Sequence, residues 1–265
     1  MSIRNLFLFA IIILICNTVN GQIISIDKTD TLTYNHKAKW DGNISEGIEI
    51  DKQNTTLFDA TNTADFSVSK WKNLFIFSGS ERFTFTSEQD FLNTGYLHLR
   101  WRYNYRNKIH TEAYVQYQWD DKIGLKYRNV GGGNVRYNFL HRSKYDMVFG
   151  TGILYESEKW NYEGVDTNKI HVTGPPIFVN RIKSNTYIKW EGSLSSTVNL
   201  STALFYQGSF DNYLQPRLSG TVSMDAAINT HLAFGFKFYC MYDSNPVVPI
   251  TNVYWSFSNS FTYKL

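Results

Sequence analysis

In the last fourteen residues, Asn252 to Leu265, every odd position but one is large and apolar. Val253, Trp255, Phe257, Phe261, Tyr263 and Leu265 are large and apolar, whereas Asn252, Ser256, Ser258, Ser260, Thr262 and Lys264 between them are polar. Successive side chains of a strand point to opposite faces, so this pattern specifies one unbroken strand with an apolar wall and a polar wall. A soluble sheet rarely needs so long a strand with aromatics along one face. A membrane-spanning barrel does, because each strand must cross the hydrocarbon layer in ~9–11 residues.

The same alternation recurs upstream. In one segment Leu97, Leu99, Trp101 and Tyr103 oppose His98, Arg100 and Arg102; in the next, Val115, Tyr117 and Trp119 oppose Glu112, Gln116 and Gln118. No segment sustains a helical period. The expected fold is all-β: a closed antiparallel transmembrane β-barrel of about 12 strands (10–12) over residues 40–265. Turn signals at Lys70–Asn73, Arg106–Lys108, His141–Ser143, Ser195–Thr197 and Asn229–Thr230 are short, and the longer connections, such as Glu158–Val179, alternate with them. Outer-membrane barrels keep short turns on the periplasmic side, which puts both termini there.

Composition agrees with one wet and one greasy face. Aromatics make up 17% and charged residues 18% of the 265 residues, and the net charge of +3 excludes a nucleic-acid partner when no basic run accompanies it. Arg4 followed by the apolar run Leu6–Cys16 reads as a secretory signal peptide over residues 1–21, cut after Gly21. Residues 22–39 then form an N-terminal periplasmic segment. Cys240, the single cysteine left after cleavage, lies on an apolar face as a small hydrophobe.

Hairpin registers bring opposite charges together on the polar wall. A three-residue turn at Arg106–Lys108 sets Arg102 against Glu112 and Asn104 against His110. One at His141–Ser143 sets Arg128 against Glu156 and Lys126 against Glu158, with Phe139 facing Tyr145 and Val135 facing Phe149 on the other wall. A lumen charge network of Arg100, Arg102, Glu112, Lys126, Arg128, Glu156 and Glu158 is therefore expected, with a basic lean that would favour anions in an open pore. Trp40, Trp101 and Trp190 near periplasmic strand ends, with Trp119 and Trp255 near external ends, would form aromatic girdles.

Chemistry is sparse. His98, His110, Ser78, Ser80 and Glu112 could be combined into a nucleophile–base–acid set, but a polar-walled lumen brings such residues together by chance, so no catalytic residue is assigned. Six scattered histidines make no metal site, and no cofactor is expected. Gly131-Gly132-Gly133 lacks the Lys-Ser/Thr of a phosphate loop.

Several stretches resemble the DUF481 family of outer-membrane proteins: Tyr103-Asn104-Tyr105-Arg106, His110 to Gln118, Tyr127 to Arg136, Gly152 to Trp160, Tyr206-Gln207 and Tyr242 to Pro246. The likeness runs from about Tyr96 to Leu265. Gly132 stands where the family usually has Ala, and Gly208 follows Gln207 where Pro is common. The resemblance implies an outer-membrane β-barrel in Gram-negative bacteria and carries over no catalytic residue. The final strand is also similar to the signal read by the barrel-assembly machinery, although it ends in Leu265 rather than Phe or Trp.

The leading expectation is thus an integral outer-membrane barrel, embedded in outer-membrane lipid, with a structural role or a plugged or narrow passive pore, and not an enzyme. Two other classes stand beside it. One is an outer-membrane enzyme acting on lipid or lipopolysaccharide; the other is a secreted soluble β-barrel binding protein.

Overall fold

The computed structural model describes residues 39–52, 56–86, 91–142, 144–163 and 174–264. The expected signal peptide, residues 22–38 and Leu265 lie outside them. Twelve strands follow one another: β1 (Lys39–Lys52), β2 (Thr56–Lys70), β3 (Asn73–Thr86), β4 (Phe91–Tyr103), β5 (Ile109–Asp120), β6 (Leu125–His141), β7 (Tyr145–Trp160), β8 (Ile177–Ser193), β9 (Val198–Ser209), β10 (Arg217–Ala227), β11 (Leu232–Asp243) and β12 (Val253–Lys264). Each pairs antiparallel with its sequence neighbours, and β1 pairs with β12, so the sheet closes into a barrel. A strand of twelve residues tilted by ~40° rises ~30 Å along the barrel axis at ~3.3 Å per residue. One 3-10 turn, Asp121–Ile123, interrupts the β pattern; Asp120 caps it and Gly124 ends it with φ at 75°.

Because the strand number is even, the start of β1 and the end of β12 lie on the same rim, here called the terminal rim. The tight connections β2–β3, β4–β5, β6–β7, β8–β9 and β10–β11 share that rim. The opposite rim, the loop rim, carries the Asp121–Gly124 turn and the longer connections. Leu214 stands on the loop before β10, 90% exposed. Pro216 lacks a backbone donor and delays the strand to Arg217.

The period-2 pattern sorts the side chains. Phe75, Leu99, Val115, Tyr137 and Phe149 face outward and stay exposed, so the outer wall is an apolar band. Arg102, Arg136, Glu156 and Glu158 face inward and are fully buried. Cys240 is half-buried on the outer wall. Two of the five expected girdle tryptophans are anchored by hydrogen bonds: Trp101 Nε1 donates to Asn73 Oδ1 (2.9 Å) and Trp119 Nε1 to Asn93 Oδ1 (3.0 Å). Trp40, Trp101 and Trp190 sit toward the terminal rim; Trp119 and Trp255 sit toward the loop rim.

The β6–β7 register differs from expectation. Arg128 stands opposite Glu158, not Glu156, and Tyr137, not Val135, opposes Phe149. Two local features cause the difference. Arg142 and Tyr145 exchange backbone hydrogen bonds (2.9 and 3.3 Å), which makes the turn tighter and moves it along the chain. A β-bulge between Asn138 and Leu140 then leaves Phe139 without a partner. The net slip is two residues. An even slip keeps each side chain on its expected wall, which is why the wrong register still assigned the right faces. Asn104 is also outside the ladder: it adopts φ 54° and donates its amide to Lys72 O at 2.7 Å.

Strands β6 and β7 approach closely at Gly152. A Cβ at Gly152 would lie 2.0 Å from Gly133 O and 2.5 Å from Asn134 Oδ1, whereas at Gly131 it would meet nothing within 4 Å. Gly152→Ala should destabilise the barrel by about 1–3 kcal/mol or prevent folding, and Gly131→Ala should leave it unchanged. Heat-shifted electrophoretic mobility and the urea midpoint report both.

Candidate functional site

The lumen is divided. Strands β4 to β11 fill their side with one connected polar network. Arg102 stands opposite Glu112 across β4 and β5, with Nε at 3.3 Å from Oε2; Arg100 Nη1 reaches the same oxygen at 3.5 Å. The other Glu112 oxygen accepts from Asn134 Nδ2 and from Tyr187 OH, both at 2.8 Å. Asn185 links onward: its amide donates to Tyr114 OH (3.0 Å) and Asn134 Oδ1 (3.2 Å), and its carbonyl accepts from Gln207 at 3.2 Å. Arg128 Nη2 donates to Gln207 (3.3 Å) and to Glu156 Oε2 (2.8 Å), and its Nε pairs with Glu158 at 3.1 Å. Lys183 also pairs with Glu156. Arg217 completes the span, binding Glu158 at 3.0 Å through Nη1 and Asp243 at 2.9 Å through Nε.

Sequence reasoning named six residues that meet in this network: Arg100, Arg102, Glu112, Arg128, Glu156 and Glu158. The seventh, Lys126, does not join it. Lys126 lies at the loop rim, with Nζ at 3.3 Å from Asp121 and 2.5 Å from Glu163. Its hydrogen bond holds the exposed Glu163 carboxyl below the usual range. The reason is the bulge after Leu125, which takes Lys126 out of the β7 ladder. Tyr187, Asn185, Gln207 and Asp243 were not singled out. Period 2 puts the first three on the wet wall, but their partners lie 22 to 79 residues away and depend on barrel closure.

Above the network, toward the loop rim, the lumen is apolar. Val248, on the β11–β12 connection, is 1% exposed and packs in one cluster with Ile123, Leu125, Trp160, Met241 and Tyr254; Val247 and Ile250 lie against it. Trp160, expected in an external loop, is the last residue of β7 and points inward, its Nε1 donating to Glu158 Oε2 at 3.1 Å. A space of about 20 Å³ lies between this cap and the ion pairs. Nearby, Lys122 on the 3-10 turn pairs with Asp59 at 3.6 Å; burial pushes its ammonium below the ordinary lysine range, and Asp59 opposes that shift.

The other side of the lumen, lined by β1–β3 and β10–β12, is emptier. It holds a cavity of about 160 Å³ walled by small hydroxyl side chains such as Ser45, Thr63, Ser80, Ser223, Ser256 and Ser258. Asp65, Arg82, Asp225 and Lys237 add charge. The histidines raised as catalytic candidates are bonded within the wall: His98 Nδ1 lies 3.1 Å from Gln116 Oε1 and its Nε2 accepts from Arg100, while His110 Nδ1 lies 3.1 Å from Asn107 O. Ser78 Oγ donates to Asp65.

A closed, meandering twelve-strand sheet, apolar outside and polar within, defines a β-barrel of the outer-membrane type. The model of the family described as a protein of unknown function, DUF481, matches residues 53–264, and the chain belongs to that family. The match takes in β2 and β3, beyond the stretch where the sequence resemblance was visible. Among solved structures, the chain is similar to the translocator domain of the autotransporter NalP from Neisseria meningitidis, at 10% identity and TM-score 0.50, over 89% of this chain and 92% of that one. An outer membrane channel from Pseudomonas putida F1 matches at 8% identity and TM-score 0.49, over 91% and 99% of the two chains. The first of these likenesses establishes fold alone. No curated protein matches the chain.

Removing one partner from the buried network leaves charges with nothing to balance them, which costs about 3–5 kcal/mol. Glu112→Ala removes the carboxylate that Arg100 and Arg102 share and should lower the unfolding free energy by about that amount. Lys126→Ala, at the half-exposed rim, should change it by less than about 1 kcal/mol. Urea titration followed by tryptophan fluorescence in detergent micelles measures both.

Proposed function

We propose that the protein is an integral barrel of a Gram-negative outer membrane, with a structural role and a lumen narrow enough to admit only water and small ions. The observation that carries this reading is the outer wall. Large apolar side chains encircle a sheet that buries its charges inside, the reverse of a soluble protein. In this reading the outer wall contacts outer-membrane lipid, and the tryptophans at the strand ends mark the two interfaces. The tight-turn rim, with both termini, faces the periplasm, and the barrel-assembly machinery reads β12.

Two features support a near-closed lumen. The ion-pair network occupies the β4–β11 side, and the Val248 cluster covers it at the loop rim. The network leans basic, with Arg100, Arg102, Arg128, Lys183 and Arg217 against Glu112, Glu156, Glu158 and Asp243, so any residual conduction favours anions. The hydrogen-bonded state of His98 and His110 favours a wall role over a catalytic one.

The protein should resist carbonate extraction, show heat-shifted mobility, and give planar bilayers either no current or steps far smaller than an open porin's. Discrete porin-sized steps would end the closed-lumen reading, and recovery in the carbonate-soluble fraction would end the membrane reading.

A further inference from the structure

The barrel is not closed equally along its circumference. β1 pairs with β2 over its whole length, from Lys39↔Ser69 to Lys52↔Thr56. β12 pairs with β11 from Leu232↔Tyr263 to Tyr242↔Val253. Between β1 and β12, however, paired register runs only from Asn43↔Lys264 to Glu46↔Phe261, fastened by Ser45 Oγ and Thr262 Oγ1 at 2.8 Å. Toward the loop rim, Gly47–Lys52 and Val253–Ser260 face one another without a paired ladder among the described residues. Where strands in hydrocarbon lack a ladder, each backbone polar group left without a partner costs several kcal/mol. A polar occupant at this place relieves that cost.

A crevice of about 90 Å³ opens at the same place. Its inner end is polar: Asp59, Thr61, Arg82 and Ser258. Its outer end is apolar: Ile48 and Phe257. Gly47, Thr61, Arg82, Ser258 and Asn259 line both this crevice and the 160 Å³ lumen cavity, so the two spaces adjoin. Arg82, whose Nε donates to Thr61 Oγ1 at 2.9 Å, is the cation common to both. On the outside, Glu46 stands at the end of the paired stretch, and the Asn62 amide faces its carboxylate. A lipid-facing wall has little reason to carry a carboxylate and two exposed amides, Asn62 and Asn259, unless polar matter passes them.

We propose that the loop-rim half of the β1–β12 seam is a lateral portal through which a zwitterionic phospholipid passes its head group between the lumen cavity and the bilayer. The proposal rests on the membrane reading above. The guanidinium of Arg82 takes the phosphate. The carboxylate of Glu46, on the outer face of β1 beside the seam, suits the ammonium, which favours a zwitterion over a fatty acid. The acyl chains stay outside against Ile48 and Phe257. The head group hydrogen-bonds to the open backbone edges during transit, and the lumen cap forces movement sideways instead of through the loop rim.

The test uses mature protein in phosphatidylethanolamine vesicles containing one of three photoactivatable probes: a phospholipid labelled on its head group, the same lipid labelled on its chain, or a labelled free fatty acid. Head-group label should map to peptides holding Thr61, Arg82 and Ser258, and chain label to the outer wall, including peptides holding Ile48 and Phe257. Arg82→Gln should reduce the head-group label about tenfold and leave the chain label unchanged, as loss of a charge-assisted bond predicts. In a Cys240→Ser background, an Ile48→Cys/Asn259→Cys disulfide should abolish the head-group label until a reductant is added. Chain label without head-group label at the seam overturns the portal and leaves the membrane reading intact; absence of both overturns the membrane reading. Head-group label that survives Arg82→Gln or the disulfide, label from the fatty acid alone, or a polypeptide cross-linked to the open edge also overturns the portal.

Discussion

Backbone hydrogen bonding is the constraint on which the rest of this structure depends. A sheet that faces hydrocarbon has no water to satisfy an open edge, so it must curl until its last strand meets its first. Everything else follows from that closure. Alternate side chains are divided into an outer and an inner set, the inner set is confined to a cylinder, and groups far apart in sequence become neighbours. Glu112 on β5 meets Tyr187 on β8, and Arg217 on β10 meets Glu158 on β7, only because the sheet is curved.

Curvature also explains why the interior is crowded on one side. The inward charges of the β4–β11 wall are buried, so each needs a partner supplied by the protein. Glu112 and Glu156 each serve more than one cation, and the amides of Asn134, Asn185 and Gln207 connect the two ion clusters. Such an arrangement is weak evidence for net stability, since apolar side chains of the same volume would pack as well. It does fix which strand faces which. Across the lumen, small hydroxyls replace the long charged chains, and space remains.

The strand number, the order of short and long connections and the face of nearly every residue were legible in the sequence, because a period of two is written directly into the residue types. Register was less legible. The bulge at Phe139 and the Arg142–Tyr145 turn are backbone features with no mark in the apolar pattern, and an even slip leaves both walls intact. The cap was not legible at all: Val247, Val248 and Ile250 lie in an aperiodic, proline-flanked segment, and only the position of the rim beneath shows that they turn inward. The charged residues of the lumen were recognisable one by one. Their partners were not, because pairing across the lumen reflects the radius of the barrel, which no local pattern encodes.

The closing strand shows how these layers separate. Along β12 the alternation continues through Val253, Trp255 and Phe257, where β1 provides no paired ladder, and is broken at Asn259. Side-chain pattern reports which wall is wet; it carries no information about whether a backbone edge is satisfied, since every residue except proline brings the same donor and acceptor. The strength of the alternation therefore implies a lipid-facing wall over the full strand and leaves the seam unspecified. What distinguishes the unpaired half is found on its neighbours. Gly47 removes a side chain at the first position beyond the paired stretch, where a Cβ would lie 3.0 Å from Asn259 O, and the polar Asn62 replaces an apolar residue on the adjoining strand. A strand pair built only for closure would have little use for either.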